Sequence, residues 1–275
     1  MIRLIALDLD GTLLTSASAT PPFAVSLRTL DVLTEAARRG IVVVPASGRQ
    51  PFSIARALAG TFLAEGVVLG ANGAIGVHLG TGQVYFERLV APQAQAALYR
   101  ALRERFPGVR CVSVRDGGVA FFPQHGYVGM MDPGDHGRLD DILPEYDLDD
   151  VLSEPSLKFI VRDPGVPEAV LLDAARALDI PGCTCLTSGA PFVEVSAGGI
   201  HKGSGVAALC AALGIEQDEV IAFGDELNDV EMIAWAGLGV AMGNAADVAK
   251  DAADEIALTN DEDGVAVVLA RLLRL

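Results

Sequence analysis

Lysine is nearly absent from this sequence. Lys158, Lys202 and Lys250 are the only three among 275 residues, and the other 17 basic residues are arginine. Acidic residues number 36 and outweigh all the basic ones, leaving a formal charge of −16. Nucleic-acid binding needs a basic surface that displaces counterions from phosphates, so that class of partner is excluded. The same surplus repels a phosphorylated metabolite, and a site for one has to supply its own positive charge. The four cysteines, Cys111, Cys183, Cys185 and Cys210, lack the C-x-x-C spacing of zinc or redox sites and read as reduced packing residues. No apolar run reaches the ~18 residues of a membrane span, and nothing reads as a secretory leader. The expectation is a cytoplasmic protein with no membrane partner.

What the chain does have is apolar mass, at 51% hydrophobic residues, enough for one large core or two ordinary ones. Its first stretch organises the rest. Ile2, Leu4, Ile5 and Leu7 form the near-continuous apolar run of a buried parallel strand, and Asp8-Leu-Asp10-Gly11-Thr12 stands at its exit. Asp and Gly are ordinary turn formers. Yet two like charges at the mouth of an apolar strand repel each other unless a cation or a reaction employs them. In open α/β sheets, ligands gather at these carboxyl ends.

Further along, Leu27, Leu30, Leu33 and Ala37 recur at helical spacing, with Arg38 and Arg39 suited to the last turn and Gly40 to the cap, and Ile41–Val44 is a strand running into Ala46-Ser47-Gly48-Arg49. A second helix and a short strand, Gly66–Leu69, lead to Asn72-Gly73. This strand–helix rhythm is that of a parallel sheet. The texture changes near Thr81–Gln83. From there to about Gly189 the pattern is strands at 84–89, 109–115, 119–123, 157–162 and 183–187, with helices at 92–106 and 168–178. That is an α+β layer inserted into the larger domain. An acidic loop, 132–154, lacks EF-hand spacing and reads as solvated. Phe192–Val195 reads as the strand that re-enters the first domain. A helix opening at Lys202 follows, then a strand Val220–Phe223 with Gly224-Asp225-Glu226-Leu227-Asn228-Asp229 at its exit. A strand near Leu238–Ala241 and a helix Gly264–Leu273 close the chain.

Asp8 and Asp10, the Ser47–Arg49 turn, Lys202, and Asp225 with Asn228 and Asp229 thus converge on one sheet edge. Carboxylate oxygens suit Mg²⁺, which is bound through one or two carboxylates plus a substrate phosphate. Ser47 and the amides near Gly11 and Gly48 can donate to phosphate oxygens. Lys202 offers a compact charge that arginine's planar fork would not match. An aspartate can attack phosphorus, and a second carboxylate can protonate the leaving oxygen and then deprotonate water.

These same residues, Asp8-Leu-Asp-Gly-Thr-Leu-Leu14, Ala46-Ser-Gly-Arg49, Lys202-Gly203 and Gly224–Asp229, resemble in order the four motifs of the haloacid dehalogenase superfamily, most nearly its Cof-type sugar-phosphate phosphatases. Asn72-Gly-Ala, Met242-Gly-Asn-Ala and Thr259–Gly264 look like that branch too. The resemblance implies a Rossmann-like parallel core at 1–82 and 190–275, with an inserted α+β cap at 83–189 that sets substrate specificity. It implies a Mg²⁺-dependent phosphatase of a small, sugar-phosphate-like metabolite, working through an aspartyl phosphate. Asp8 would be nucleophile and metal ligand, and Asp10 the acid/base, meeting metal through its backbone carbonyl. Ser47, Gly48, Arg49, Lys202 and Asn228 would hold phosphate. Asp225 would complete the metal site, and Asp229 would bind metal or support the site from behind. His201 stands where the family more often has asparagine; it either touches substrate or is a plain loop histidine. Lys158 either reaches substrate or lays its stem on the sheet with its head in water. A phosphomutase, or a non-catalytic phosphate-binding module, is the alternative reading.

Overall fold

The computed structural model describes residues 1–132, 143–187 and 191–275. Along the chain the first elements are β1 (Leu4–Leu7), α1 (Leu27–Arg38), β2 (Val42–Pro45), α2 (Pro51–Ala57), β3 (Val67–Gly70), β4 (Ile75–His78) and β5 (Val84–Glu87). There follow α3 (Pro92–Arg105), β6 (Arg110–Arg115), β7 (Ala120–Pro123), α4 (Leu148–Val151), β8 (Lys158–Arg162), α5 (Glu168–Ala177), β9 (Cys183–Leu186) and β10 (Val193–Ala197). The last are α6 (Lys202–Leu213), β11 (Val220–Gly224), α7 (Val230–Trp235), β12 (Leu238–Ala241), α8 (Asp247–Asp251), β13 (Glu255–Ile256) and α9 (Gly264–Leu273). They fold as two compact units, 1–86 with 201–275, and 87–200.

In the first unit five parallel strands run in the order β13-β12-β11-β1-β2. β1 is an interior strand, between β11 and β2, and every residue of it, Leu4, Ile5, Ala6 and Leu7, is apolar and fully buried. A strand apolar on both faces has to be covered on both faces, which places it mid-sheet. One face packs Leu4, Ala6, Val44, Val220 and Ala222 against Val206, Leu209 and Cys210 of α6 and Met232 of α7. α1 begins where Ser26 accepts from the Thr29 amide at 3.0 Å, an N-cap bond, while the Ser26 hydroxyl reaches Asp263 at 2.5 Å just before α9. β3, β4 and β5 form a small second sheet, with β3 and β4 antiparallel. β4 is a strand that the sequence pattern had left unmarked.

The second unit holds the sheet β7-β6-β8-β10-β9, whose pairs are antiparallel. Alternate residues Phe159, Val161, Val193 and Val195 face Leu98, Tyr99 and Leu102 of α3 and Leu171, Leu172 and Ala175 of α5. β10 corrects one expectation. The strand through Phe192–Val195 does not re-enter the first unit; it pairs with β8 and β9, and the chain returns to the first unit at His201. Its valines complete the helix-covered face, and an apolar run does not encode which sheet it joins.

Lys158 is another correction. It is buried and paired with Glu194 at 2.6 Å, so its head is not in water. The four cysteines are free, Cys111 and Cys210 among the buried core. The acidic loop and the expected 189/190 boundary lie partly or wholly outside the described residues. Among the described residues no helix is long and apolar enough to cross a membrane.

Candidate active site

Parallel register brings the site together. Leu7 lies opposite Pro45 on one side and Phe223 on the other, so Asp8, Ser47 and Asp225 follow three adjacent strand ends. The Asp8 amide donates to the Phe223 carbonyl at 3.0 Å, and the Ala46 amide to the Leu7 carbonyl at 2.7 Å, which carries the ladder to the edge. Gly11 then turns at φ +83° and passes so close to Asp225 that a Cβ would collide with its carboxylate. Only glycine allows that approach. Thr12 donates to Asp225 Oδ1 at 2.8 Å and fixes the carboxylate's rotation.

Lys202 opens α6 and is 1% exposed. Its Nζ donates to Asp8 Oδ1 at 2.5 Å and to Asp229 Oδ1 at 2.6 Å. The other Asp229 oxygen accepts from the Asp225 and Glu226 amides, both at 3.1 Å. Both Asp229 oxygens are therefore committed within the protein, one to the lysine and one to the turn that presents Asp225. His201 proves to be the helix N-cap, with its Nδ1 accepting from the Ser204 amide at 3.2 Å and its amide donating to the Ser204 hydroxyl at 3.1 Å. The ring's partner is thus the helix end. That explains why a histidine serves where a short polar side chain is usual.

One oxygen from each of Asp8, Asp225 and Asp229 lies within 4.8 Å of the others, and all three residues are buried. One ammonium among three carboxylates leaves two negative charges uncompensated. Burial pushes the Asp8 carboxyl well above its ordinary range, and Asp229 pushes it further, outweighing Lys202. Burial likewise raises Asp225 to about 6 against the opposing Thr12 bond. Burial alone would lower Lys202, but Asp8 and Asp229 overcome it and hold the lysine charged, above its usual value. The deficit falls on the carboxylates, and its size matches a divalent cation: the donor set fits Mg²⁺ in hardness and in charge.

Asp10 and Arg49 stand apart from that cluster. The half-exposed Asp10 carboxylate receives both arms of the Arg49 guanidinium, at 2.9 and 2.6 Å. Beside it opens a cleft lined by Gly11, Thr15, Phe23, Asn244 and Asp261. The Ser47 hydroxyl, in a residue 3% exposed, accepts from the Arg49 amide at 3.2 Å. Asn228 donates to Asn72 Oδ1 at 3.3 Å. Thr12 and Asn72 belong to this constellation although the residue pattern assigned them no role. The signals were there, a hydroxyl next to the turn glycine and an Asn-Gly pair at a strand end.

A parallel sheet with acidic strand ends, a buried lysine and an Asp-rich turn defines a class, and comparison with known proteins gives the same one. A model of the haloacid dehalogenase-like hydrolase family matches residues 5–269. The phosphatase YwpJ of Bacillus subtilis is 30% identical over 301 aligned residues, which take in 99% of this chain and 100% of its own. A haloacid dehalogenase-like hydrolase from Bacteroides thetaiotaomicron superposes with a TM-score of 0.73 at 30% identity, over 99% of this chain and 100% of that one. A subclass IIB sugar phosphatase of the superfamily superposes with a TM-score of 0.74 at 20% identity over 99% and 100%, a likeness of fold. The chain belongs to the haloacid dehalogenase-like hydrolases. It is an enzyme, a phosphoric monoester hydrolase.

Proposed function

We propose that the chain is a Mg²⁺-dependent phosphatase of a small phosphorylated metabolite, sugar-phosphate-like, that works through an aspartyl phosphate on Asp8. The observation that carries this reading is the burial of Asp8 between the Lys202 ammonium and the Asp225 carboxylate. Asp8 and Asp225 would hold the Mg²⁺, with the Asp10 backbone carbonyl. Asp229, with both oxygens occupied, braces Lys202 and the Asp225 turn. When bound, the dication supplies the positive charge that favours an ionised Asp8 and offsets charge on phosphoryl oxygens.

Asp8 attacks phosphorus while Asp10 gives its proton to the departing oxygen, so the alcohol leaves neutral. Asp10, now a carboxylate, takes a proton from water as that water attacks the acyl phosphate, which frees Asp8 and releases phosphate. Lys202, the Ser47 hydroxyl, the Gly48 amide, Arg49 and Asn228 bind the phosphoryl oxygens. Arg49 also holds Asp10 in place until substrate arrives. Residues 83–189, the expected cap, carry discrimination of the leaving group in this reading. The substrate is a small molecule, with no nucleic acid involved.

The test is phosphate release from a panel of phosphorylated metabolites, with and without Mg²⁺, on wild type and Asp8→Asn. Turnover that needs Mg²⁺ and falls by about 10³-fold or more in the variant is expected for a lost nucleophile. Most of the activity surviving in a folded Asp8→Asn protein would sink the mechanism.

A further inference from the structure

We propose that Asn72 is a further phosphoryl-binding residue, whose side-chain Nδ2 donates to an oxygen of the bound phosphoryl group beside the Ser47–Arg49 turn. The proposal rests on the phosphatase reading above and extends its binding site to a loop outside the four motifs.

Asn72 follows β3 in a tight loop in which Ala71 and Asn72 both take left-handed backbone, at φ +52° and +56°. A non-glycine residue there is strained, and two in succession are held only where the surroundings enforce them. The surroundings are the phosphate-side motifs. The Asn72 amide donates to the Ser47 carbonyl at 3.0 Å, and the Ala71 amide to the Arg49 carbonyl at 2.9 Å. Gly48 leaves room for the carboxamide, because a Cβ there would sit 3.1 Å from Asn72 Oδ1 and 3.4 Å from Nδ2. Next in the chain, Gly73 packs on the His201 carbonyl and Gly205, at the start of the helix that Lys202 opens. Oδ1 accepts from Asn228 at 3.3 Å. Asn72 therefore joins the serine turn, the Asn228 turn and the lysine helix.

Its Nδ2 is the unfinished part. The residue is 2% exposed, yet among the described residues that donor has no partner. An unpaired buried donor is destabilising, and aspartate would serve Asn228 equally well without it. A donor kept at that cost, in a strained loop against a phosphate-side turn, is a donor whose acceptor arrives with the ligand. Turning the amide over does not relieve it. The Asn228 Nδ2 would then meet another donor, and a carbonyl oxygen would face the anion.

Inorganic phosphate is the probe, titrated calorimetrically into the full-length protein at saturating Mg²⁺. Asn72→Gly is the first variant, because glycine adopts φ +56° freely. It is made in the wild-type and the Asn228→Ala backgrounds. The expected result is phosphate binding weaker by about tenfold in both, with Mg²⁺ affinity unchanged. Asn72→Asp keeps the shape and the acceptor for Asn228 but not the donor, and it should bind phosphate more weakly still. Weakening only where Asn228 is present would show Asn72 positioning Asn228, and would overturn the direct contact. Wild-type phosphate affinity in either Asn72 variant would overturn it too. Failure of the wild-type protein to bind phosphate would instead strike the phosphatase reading itself.

Discussion

Lys202 is the residue on which the charge balance turns. Buried among Asp8, Asp225 and Asp229, it is the sole cation of the cluster among the described residues, so replacing it strands three carboxylates without compensation. Removing one partner of a buried ion pair costs about 3–5 kcal/mol, and Lys202→Ala should lose that much in urea denaturation without Mg²⁺. Adding Asp8→Asn should return part of the loss, since it removes a surplus charge. A double variant as unstable as the sum of the singles would show that the two residues do not share a charge balance. In a chain with two other lysines, one placed here already drew notice in the sequence. What the sequence could not show was that Asp229 spends its oxygens on Lys202 and on backbone amides, because hydrogen-bond commitments depend on side-chain geometry.

Elements were legible where apolar period and punctuation agreed. α1 ends near Gly40 as expected, and β1 and β11 emerge where continuous apolar runs stand before acidic turns. β4 and β13 escaped notice because they are short, and β10 was assigned to the wrong sheet because strand partners are chosen by packing. Both ends of the chain meet at the α1 cap, where Ser26 bonds the Thr29 amide and Asp263 together. Ser26→Ala should cost about 1–2 kcal/mol, in the upper range for an N-cap because a second bond goes with it. A change in denaturation midpoint worth less than a few tenths of that would refute the assignment. The site's motifs were readable in order, but Asn72 gave away its part only through a partnerless nitrogen in three dimensions.

Over the whole molecule, two bulk properties become measurable. The charge of −16 opposes an anionic substrate, so kcat/KM at fixed Mg²⁺ should rise a few-fold from about 10 to about 150 mM salt as repulsion is screened. A fall with salt would mean that local steering overrides the global field. On the proposed function, proton and metal would also compete for one cluster. With Asp225 raised to about 6, the metal-free fold holds a proton that the unfolded chain has lost. Stability from that proton is therefore present at low pH and drains away as pH rises through about 6. On the proposed Mg²⁺ site the cation would take over the carboxylates above that point, so its effect on the thermal midpoint should be larger at pH 7.5 than at pH 5.5. Equal shifts at both would contradict the shared site.

The pairing of β1 with β11, Leu4 opposite Val220 and Leu7 opposite Phe223, also governs when the molecule comes into being. A ribosome adding roughly 5–20 residues per second needs on the order of ten seconds or more between making the two strands. Throughout that interval one edge of the most apolar strand waits without its neighbour, an invitation to the wrong partner. Asp8 waits with it, since Lys202 and Asp225 both belong to the last third of the chain. A nascent or truncated chain ending before Gly224 therefore carries the first motif but no workable site, and catalysis has to wait until that turn has been made.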